Sequence, residues 1–358
     1  MNSLPHLDRE RFDYEIAYML PWKDDLVSKL SDNGIPVHQI GGPRGRVVAA
    51  VQDLRRLVAE REVDLIDAHL PVPGVVARCA LRGNAGVRLV YHEHSLSVQR
   101  RLSKGRFLGF IANVATYGLT DVIVAVSEDT AADVRRFNRS SAAVKVIVNG
   151  IPLPTPSRPS EVTSAMRSLG VPADHRVVGH VAKMVSKKRQ KDLVRAAAQV
   201  IAVLPNTTFL LIGQGPLRSS LQSMAKGLGL DDRIKFPGYV GDLTSTMCGF
   251  DLFALSSLHE GLPTVVIEAA SLGIPTVATR VGGTSEIVAN GETGILVPPR
   301  RPDALATAIV SLLRDDARRR AMGASAREQA SRFGIRRRVR EIEQVYEAQL
   351  SIGHVRDG

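Results

Sequence analysis

The sequence predicts an α/β protein made of two domains, each a doubly wound parallel sheet, and three observations support this fold class. The chain has 358 residues, which exceeds the usual length of one domain. Short β-branched runs alternate with helical patterns along the whole sequence. The apolar runs are continuous rather than alternating, which is typical of parallel strands that helices cover on both faces.

The first domain is predicted to span residues 1–151 and to contain strands separated by amphipathic segments. The linker that follows, residues 152–160, holds four prolines in nine residues, a density that suppresses regular structure. The predicted strands of the first domain are Tyr14–Leu20, Val63–His69, Arg88–His94, Asp121–Ser127 and Val144–Asn149.

The second domain is predicted over residues 161–334, where the alternation of strands and helices restarts. Residues 302–350 are helical in pattern, and we expect the last segment, residues 335–358, to be a helix that returns to the first domain. The predicted strands of the second domain are Val177–Ala182, Thr208–Ile212, Ile234–Phe236, Leu252–Leu255, Thr276–Ala278 and Ile295–Val297.

Composition and charge exclude several classes of protein. A hydrophobic fraction of 44% with 23% charged residues is that of a globular protein. Two distant cysteines, Cys79 and Cys248, indicate neither a disulfide framework nor a metal cluster, and no apolar run reaches the roughly 18 residues that cross a bilayer. We therefore expect a cytoplasmic protein. The net charge of +11 favours phosphate-bearing ligands or an anionic membrane surface, and no nucleic-acid-binding motif accompanies it.

The segment from Glu260 to Glu268, EGLPTVVIE, is the most informative part of the chain. It follows a predicted strand, and Pro263 and Pro275 help to predict a helix over about residues 263–272. The N–H groups at the start of such a helix can bind an anionic diphosphate, and the two carboxylates can accept hydrogen bonds from sugar hydroxyls. An isolated pair would be better explained by one capping and one solvated glutamate, but the surrounding motifs favour a binding site.

Those motifs lie in loops that follow strands, where a doubly wound sheet binds its ligands. Glycines permit close approach of the backbone to a ligand, and lysines can stabilise a departing diphosphate. Each motif has an ordinary explanation by itself, a tight turn for the glycines and solvated charge for the lysines. The residues are Lys183, Lys188, Gly213, Gly215, Gly282 and Gly283.

With these motifs, the sequence resembles the retaining glycosyltransferases of family four, whose GT-B fold places two Rossmann-like domains across a cleft. The resemblance covers nearly the whole chain, and the family signature of two glutamates separated by seven residues is matched by Glu260 and Glu268. It implies a glycosyltransferase of the hexosyltransferase class. The donor would be a UDP-, GDP- or ADP-sugar, the acceptor a saccharide or lipid-linked saccharide, and no other cofactor would be needed.

The resemblance also implies roles for individual residues. In the family the first glutamate holds the donor sugar and the second holds the ribose hydroxyls, which gives Glu260 and Glu268 those roles. Lys183 and Lys188 look like the family's arginine and lysine on the diphosphate, although a lysine at position 183 loses the two-pronged arginine geometry. Further donor-binding residues are expected at the two loops, namely Gly213, Gly215, Gly261, Leu262, Pro263, Thr264 and Val265.

The first domain supplies the predicted acceptor side. The family has a histidine at the position of His94, and we expect His94 to act in catalysis together with Lys188 and Glu260. His69, Ser127 and Asn149 also end predicted strands. A satisfied structural histidine, a helix cap and an asparagine–glycine turn explain these three equally well.

The resemblance implies retention of anomeric configuration, with acceptor attack on the face that the diphosphate leaves. No Asp-x-Asp motif follows a predicted strand, so we expect cations and helix amides, and no metal, to stabilise the leaving group. The family has a strand, a glycine-rich loop and a helix before the segment that resembles residues 7–14. Two alternatives stay open: the start of this sequence is placed too late, or the fold lacks that first strand and loop. A nucleotide-sugar epimerase and an inactive nucleotide-sugar-binding protein stay open as alternatives.

A basic and apolar segment follows the predicted strand that ends at His94. Its composition suits the surface of an anionic membrane, where lipid-linked acceptors are found, although an ordinary helix with one buried face explains it as well. Its residues are Arg100, Arg101, Leu102, Lys104, Arg106, Phe107, Leu108, Phe110 and Ile111.

Overall fold

The computed structural model describes residues 3–20, 24, 26–94 and 104–354. Its contacts divide the chain into two compact units, one of residues 1–150 and 335–358 and the other of residues 151–334. Every strand pair in both units is parallel, and helices separate the strands along the chain. The predicted α/β class with parallel sheets is confirmed.

The first unit contains two sheets and six helices among its described residues. The sheets have the strand orders β1-β2 and β3-β4-β5-β6. Its strands are β1 Ile16–Tyr18, β2 Val37–Gln39, β3 Leu65–His69, β4 Arg88–Glu93, β5 Val122–Ala125 and β6 Ala143–Val146. Its helices are α1 Val27–Asp32, α2 Val47–Glu60, α3 Pro71–Ala80, α4 Lys104–Ala115, α5 Glu128–Phe137 and α14 Ile335–His354.

The second unit has one six-stranded sheet in the order β12-β11-β10-β7-β8-β9. Its strands are β7 Arg176–Val181, β8 Thr207–Ile212, β9 Ile234–Gly238, β10 Leu252–Leu255, β11 Thr276–Thr279 and β12 Gly294–Val297. Its helices are α6 Pro159–Ser168, α7 Gln190–Val203, α8 Arg218–Gly227, α9 Leu243–Cys248, α10 Thr264–Ser271, α11 Thr284–Ile287, α12 Pro302–Arg314 and α13 Asp316–Ala330.

Three details differ from the predicted elements. Strand β2 was not predicted because its three residues, Val-His-Gln, form no β-branched run. The predicted linker is shorter than residues 152–160, since α6 already begins at Pro159, and proline is well suited to the first position of a helix. The strand predicted to end at Asn149 stops at Val146, because its partner β5 ends at Ala125.

A buried polar network fixes one face of β4. Glu93 is 1% exposed, and its Oε2 accepts hydrogen bonds from Tyr91 OH at 2.9 Å, Asn113 Nδ2 at 3.2 Å and Tyr117 OH at 3.3 Å. The guanidinium of Arg78, itself buried, lies 4.2 Å from the ring centroid of Tyr91. The three hydrogen bonds compensate the buried carboxylate of Glu93 for the water that it loses on folding. His92 lies between Tyr91 and Glu93, so its side chain points to the opposite face of β4. By fixing the two flanking residues, the network also fixes the backbone that carries His92.

Replacing Glu93 with glutamine is expected to destabilise the first unit. The amide keeps the shape of the side chain, but it loses the charge and turns N–H groups toward the phenol and amide donors. Loss of satisfied hydrogen bonds at a buried site costs roughly 1–3 kcal/mol in the free energy of unfolding. Urea denaturation measures this change, with the exposed Glu10→Gln as the control. Equal stability of the two variants would contradict the role assigned to the network.

Candidate functional site

The loop after β10 carries the predicted glutamate motif and leads into α10. The helix begins at Thr264, and Pro263 is its N-cap residue rather than its first helical residue, because the ψ of Pro263 is extended at 95°. The helix ends at Ser271, with Gly273 in the left-handed conformation beyond it. The first-turn N–H groups of Thr264 and Val265 therefore stand at a helix start, where backbone donors lack intrahelical partners.

Glu260, which is buried, and Lys188, which is partly buried, form an ion pair immediately before this helix. Glu260 is 6% exposed, and its Oε1 accepts hydrogen bonds from Lys188 Nζ at 2.6 Å and from Ser257 Oγ at 2.5 Å. The backbone carbonyl of Lys188 accepts a hydrogen bond from Ser256 Oγ at 2.9 Å. Strands β7 and β10 are neighbours in the sheet, so the loops that follow them meet at the same edge. Two residues predicted to touch different parts of a donor thus contact each other.

Gly282 supports the loop that holds Glu260. It has a φ of +51°, and a Cβ built on it would lie 1.8 Å from the carbonyl oxygen of Glu260. The next residue, Gly283, donates its N–H to the carbonyl of Gly261 at 2.8 Å. No side chain fits at position 282, so the glycine allows the loop after β11 to pack directly on the glutamate loop.

Gly213 and Gly215 likewise allow their loop to pack closely on the loop that carries Lys183. A Cβ on Gly213 would lie 2.3 Å from the carbonyl oxygen of Ala182, and a Cβ on Gly215 would lie 2.4 Å from that of Met184. The Met184 N–H donates to the carbonyl of Gln214 at 2.8 Å. The glycines are therefore required by close approach of two loops, and this packing fixes the backbone on both sides of Lys183. Gln190 adds a hydrogen bond from its Nε2 to the Lys183 carbonyl at 3.0 Å.

Glu268 and Leu262 are two further residues that were predicted to bind the donor. Glu268 lies inside α10 and is partly buried, and this burial raises the pKa of its carboxyl group. Leu262 is buried at the end of the glutamate loop. A carboxylate held in a partly dry position is suited to hydroxyl donors, because its hydrogen bonds are not screened by bulk water.

His180 is a residue of this site that sequence reasoning missed. It is fully buried on β7, its Nδ1 lies 2.8 Å from the carbonyl oxygen of Ala254, and its Nε2 has no hydrogen-bond partner among the described residues. Burial lowers the pKa of its imidazole to about 4, and the charges of Lys188 and Glu260 act on it in opposite directions. The sequence feature that could have identified it is a histidine near the end of an otherwise largely apolar predicted strand.

In the first unit, His94 and His69 lie close together at the carboxyl ends of β4 and β3. His69 Nδ1 is 3.1 Å from His94 Nε2. Burial, with further contributions from His69, His92 and Arg338, lowers the pKa of His94 to about 4. The imidazole of His94 is therefore neutral at physiological pH and can donate or accept a hydrogen bond.

The other two predicted acceptor-side residues have different surroundings. Ser127 is buried and caps α5, because its Oγ accepts a hydrogen bond from the N–H of Thr130 at 3.1 Å. Asn149 lies three residues beyond the end of β6 and not at the strand end. Of the predicted membrane segment, Arg100, Arg101 and Leu102 lie outside the described residues. Of the remainder, Leu108 and Ile111 on α4 are exposed.

Two histidines with lowered pKa values predict a loss of stability in acid. Both His94 and His180 have a folded-state pKa of about 4, below the ordinary histidine value of about 6.5. As the pH falls below about 6.5, the unfolded chain binds protons that the folded chain does not, so the free energy of unfolding decreases down to about pH 4. Urea denaturation across this range measures the slope, which should be smaller in His180→Gln. A slope unchanged by that substitution would contradict the neutral, buried state of His180.

Comparison with known proteins places the chain in a family. A model described as Glycosyl transferases group 1 matches residues 162–329, and a model described as Glycosyltransferase Family 4 matches residues 6–154. The chain belongs to these glycosyltransferases. A protein named D-inositol 3-phosphate glycosyltransferase from Corynebacterium urealyticum is 30% identical over 301 residues, which cover 79% of this chain and 71% of that protein. The matches favour a sugar-transferring enzyme over the epimerase and the inactive binding protein.

Solved structures confirm the GT-B fold of this glycosyltransferase. Anabaena Alr3699/HepE, in a crystal structure in complex with UDP-glucose, has a TM-score of 0.84 and 26% identity, with 97% of this chain and 94% of that chain covered. The sucrose-phosphate synthase of Thermosynechococcus elongatus has a TM-score of 0.83 at 23% identity, covering 98% of this chain and 92% of its own. Within the described part of the glycosyltransferase, the helices are all too short or too polar to cross a membrane.

Proposed function

We propose that this glycosyltransferase moves a sugar from a nucleoside-diphosphate sugar, with UDP-glucose as the first donor to test, to a saccharide or lipid-linked acceptor. The observation that carries the proposal is the partly buried Lys188–Glu260 pair directly before the N-terminus of α10. A cation, a carboxylate and a helix start in one place match the diphosphate and the sugar hydroxyls of such a donor. The solved complex of HepE with UDP-glucose supports the choice of donor.

The residues around the pair have complementary roles in this proposal. Lys188 and Lys183 stabilise the negative charge on the leaving diphosphate, together with the first-turn N–H groups of α10. Glu260 accepts hydrogen bonds from the transferred sugar, and Glu268 accepts them from the ribose hydroxyls. Because Lys188 already contacts Glu260 in the protein alone, its ammonium is pre-positioned and loses little side-chain entropy when donor binds.

The proposed reaction retains the anomeric configuration and needs no metal at the diphosphate. The acceptor hydroxyl attacks the anomeric carbon on the face that the diphosphate leaves: the bond from this carbon to the diphosphate oxygen breaks, and the hydroxyl proton passes to that oxygen. Lysines and helix amides stabilise the leaving nucleoside diphosphate. His94, which is neutral at physiological pH, positions the acceptor or the sugar by hydrogen bonding. Assembly of a polysaccharide or glycolipid in the cytoplasm, at the inner face of the membrane, is the setting that we propose for such a reaction.

Calorimetry with UDP-, GDP- and ADP-sugars tests the donor site directly. We expect one nucleotide class to bind, and Glu268→Ala to weaken its binding by about 10- to 100-fold, the usual cost of losing hydrogen bonds to a charged group. The matched control is Glu292→Ala, which removes an exposed glutamate in the loop before β12. Failure of every donor to bind, or equal binding by Glu268→Ala and the parent chain, would overturn the proposed site.

A further inference from the structure

Asp67, His69 and His92 form a compact group at the carboxyl ends of β3 and β4, which we call the Asp–His cluster. In the parallel pairing of the two strands, His69 lies opposite His92, and their rings stack with centroids 4.3 Å apart. Asp67 precedes His69 by two residues and so lies on the same face of β3. One candidate ligand atom from each of the three residues lies within 4.8 Å of the others.

Two distances within the Asp–His cluster are close to those between the ligands of a single metal ion. Asp67 Oδ1 lies 3.1 Å from His92 Nε2, and Asp67 Oδ2 lies 3.5 Å from His69 Nε2. Ligands that bind zinc tetrahedrally at about 2.0–2.1 Å are themselves about 3.3 Å apart. The two carboxylate–imidazole distances, one from each oxygen of Asp67, are therefore close to that spacing.

Two of these atoms lack the partners that buried polar atoms normally have. Asp67 Oδ1 and His92 Nε2 are both inaccessible to solvent and have no hydrogen bond to any described residue, although they face each other. His92 as a whole is 1% exposed. A cation bound between them would satisfy both atoms.

Neighbouring side chains orient the cluster as an outer shell orients metal ligands. Tyr346 OH donates a hydrogen bond to Asp67 Oδ2 at 2.5 Å, and His69 Nδ1 lies 3.1 Å from His94 Nε2. Hydrogen bonds of this kind hold a coordinating carboxylate and fix the tautomer of a coordinating histidine. The side chain of His69 is 44% exposed, which gives an ion a path to the cluster.

We propose that Asp67, His69 and His92 bind one first-row divalent cation, and that Zn²⁺ suits this set of two imidazoles and one carboxylate best. Tyr346 lies on α14 and Asp67 on β3, so the bound ion would fasten the C-terminal helix to the sheet of the first unit. The apolar contacts of Ile342 and Val345 with that sheet already hold α14 in place. The proposed site includes His69, a predicted acceptor-side residue, but none of the donor residues, and zinc binding can be measured whether or not the proposed function holds.

Substitution of Arg338, on α14, can test whether the Asp–His cluster binds a cation or an anion. Arg338 interacts electrostatically with Asp67: burial lowers the pKa of its guanidinium, and the charge of Asp67 opposes that shift. A positive charge opposes a bound cation and favours a bound anion. Substitution Arg338→Gln is therefore expected to tighten zinc binding several-fold, whereas it would weaken the binding of phosphate.

The test is calorimetric titration of the chelator-treated full chain with Zn²⁺. We expect one saturable site per chain, at least tenfold weaker binding in Asp67→Asn and His92→Gln, and tighter binding in Arg338→Gln. The matched control is His38→Gln, because His38 Nε2 forms another histidine–carboxylate pair with Glu15, at 2.7 Å, away from the cluster. Zinc binding should be unchanged in that variant.

X-ray absorption at the zinc edge of the unsubstituted protein gives a second readout that does not depend on any variant folding. Two imidazole ligands and oxygen ligands are expected in the first shell. The proposal is overturned by absence of saturable zinc binding, by a shell without imidazole, or by full binding in Asp67→Asn and His92→Gln. Inorganic phosphate that binds the parent chain but not Arg338→Gln would assign the cluster to an anion instead.

Discussion

Replacement of Glu260 with alanine is expected to lower kcat/KM for sugar transfer by about 10²–10³-fold, the cost of removing one well-placed polar group from a reacting centre. The substitution removes the carboxylate proposed to hold the sugar, and it also frees the ammonium of Lys188 from its partner at 2.6 Å. Both effects act on the transition state, because a lysine without its carboxylate no longer has one fixed position beside the diphosphate.

Steady-state kinetics of Glu260→Ala, Lys188→Met and the double variant separates the two effects. If Glu260 and Lys188 act as a unit, the double variant loses much less than the product of the two single losses. Glu328→Ala, at an exposed position on α13, controls for loss of a glutamate as such. A Glu260→Ala enzyme with more than one tenth of the parent kcat/KM would contradict the role of the pair.

Substitution of Gly282 with alanine is expected to have the largest effect on structure among single methyl additions in the second unit. The new Cβ would lie 1.8 Å from the carbonyl oxygen of Glu260, so the glutamate loop or the loop after β11 must move. Overpacking typically costs about 1–3 kcal/mol, and the left-handed φ of +51° adds about 1 kcal/mol. We expect a lower Tm and a large loss of donor affinity together.

Gly291→Ala provides the matched control for this substitution. Its φ of +88° is also in the left-handed region, but no atom lies within 4 Å of the place that the new methyl group would occupy. The control substitution therefore has the free-energy cost of a left-handed φ in a non-glycine residue, but its methyl group meets no neighbouring atom. Thermal unfolding and donor calorimetry on both variants compare them, and equal effects would show that close packing on Glu260 is unimportant.

The predicted elements and the glutamate motif came close to the structure because both are local features. Continuous apolar runs located eleven of the twelve strands, and the missed one, β2, has only three residues. The start of α10 differs from prediction by one residue, since a proline is suited both to an N-cap and to a first helical position. The glycines at 213, 215 and 282 were found from sequence, but their packing partners were not.

By itself, the sequence determined the α/β class, the order of the strands along the chain and the spacing of Glu260 and Glu268. Tertiary structure alone decided which distant residues meet. Lys188 contacts Glu260 because β7 and β10 pair side by side, and His69 stacks on His92 because β3 and β4 pair in register. The hydrophobic pattern along a strand indicates which of its faces are buried. The order of strands across a sheet depends on the packing of the whole unit, and no local pattern of residues encodes it.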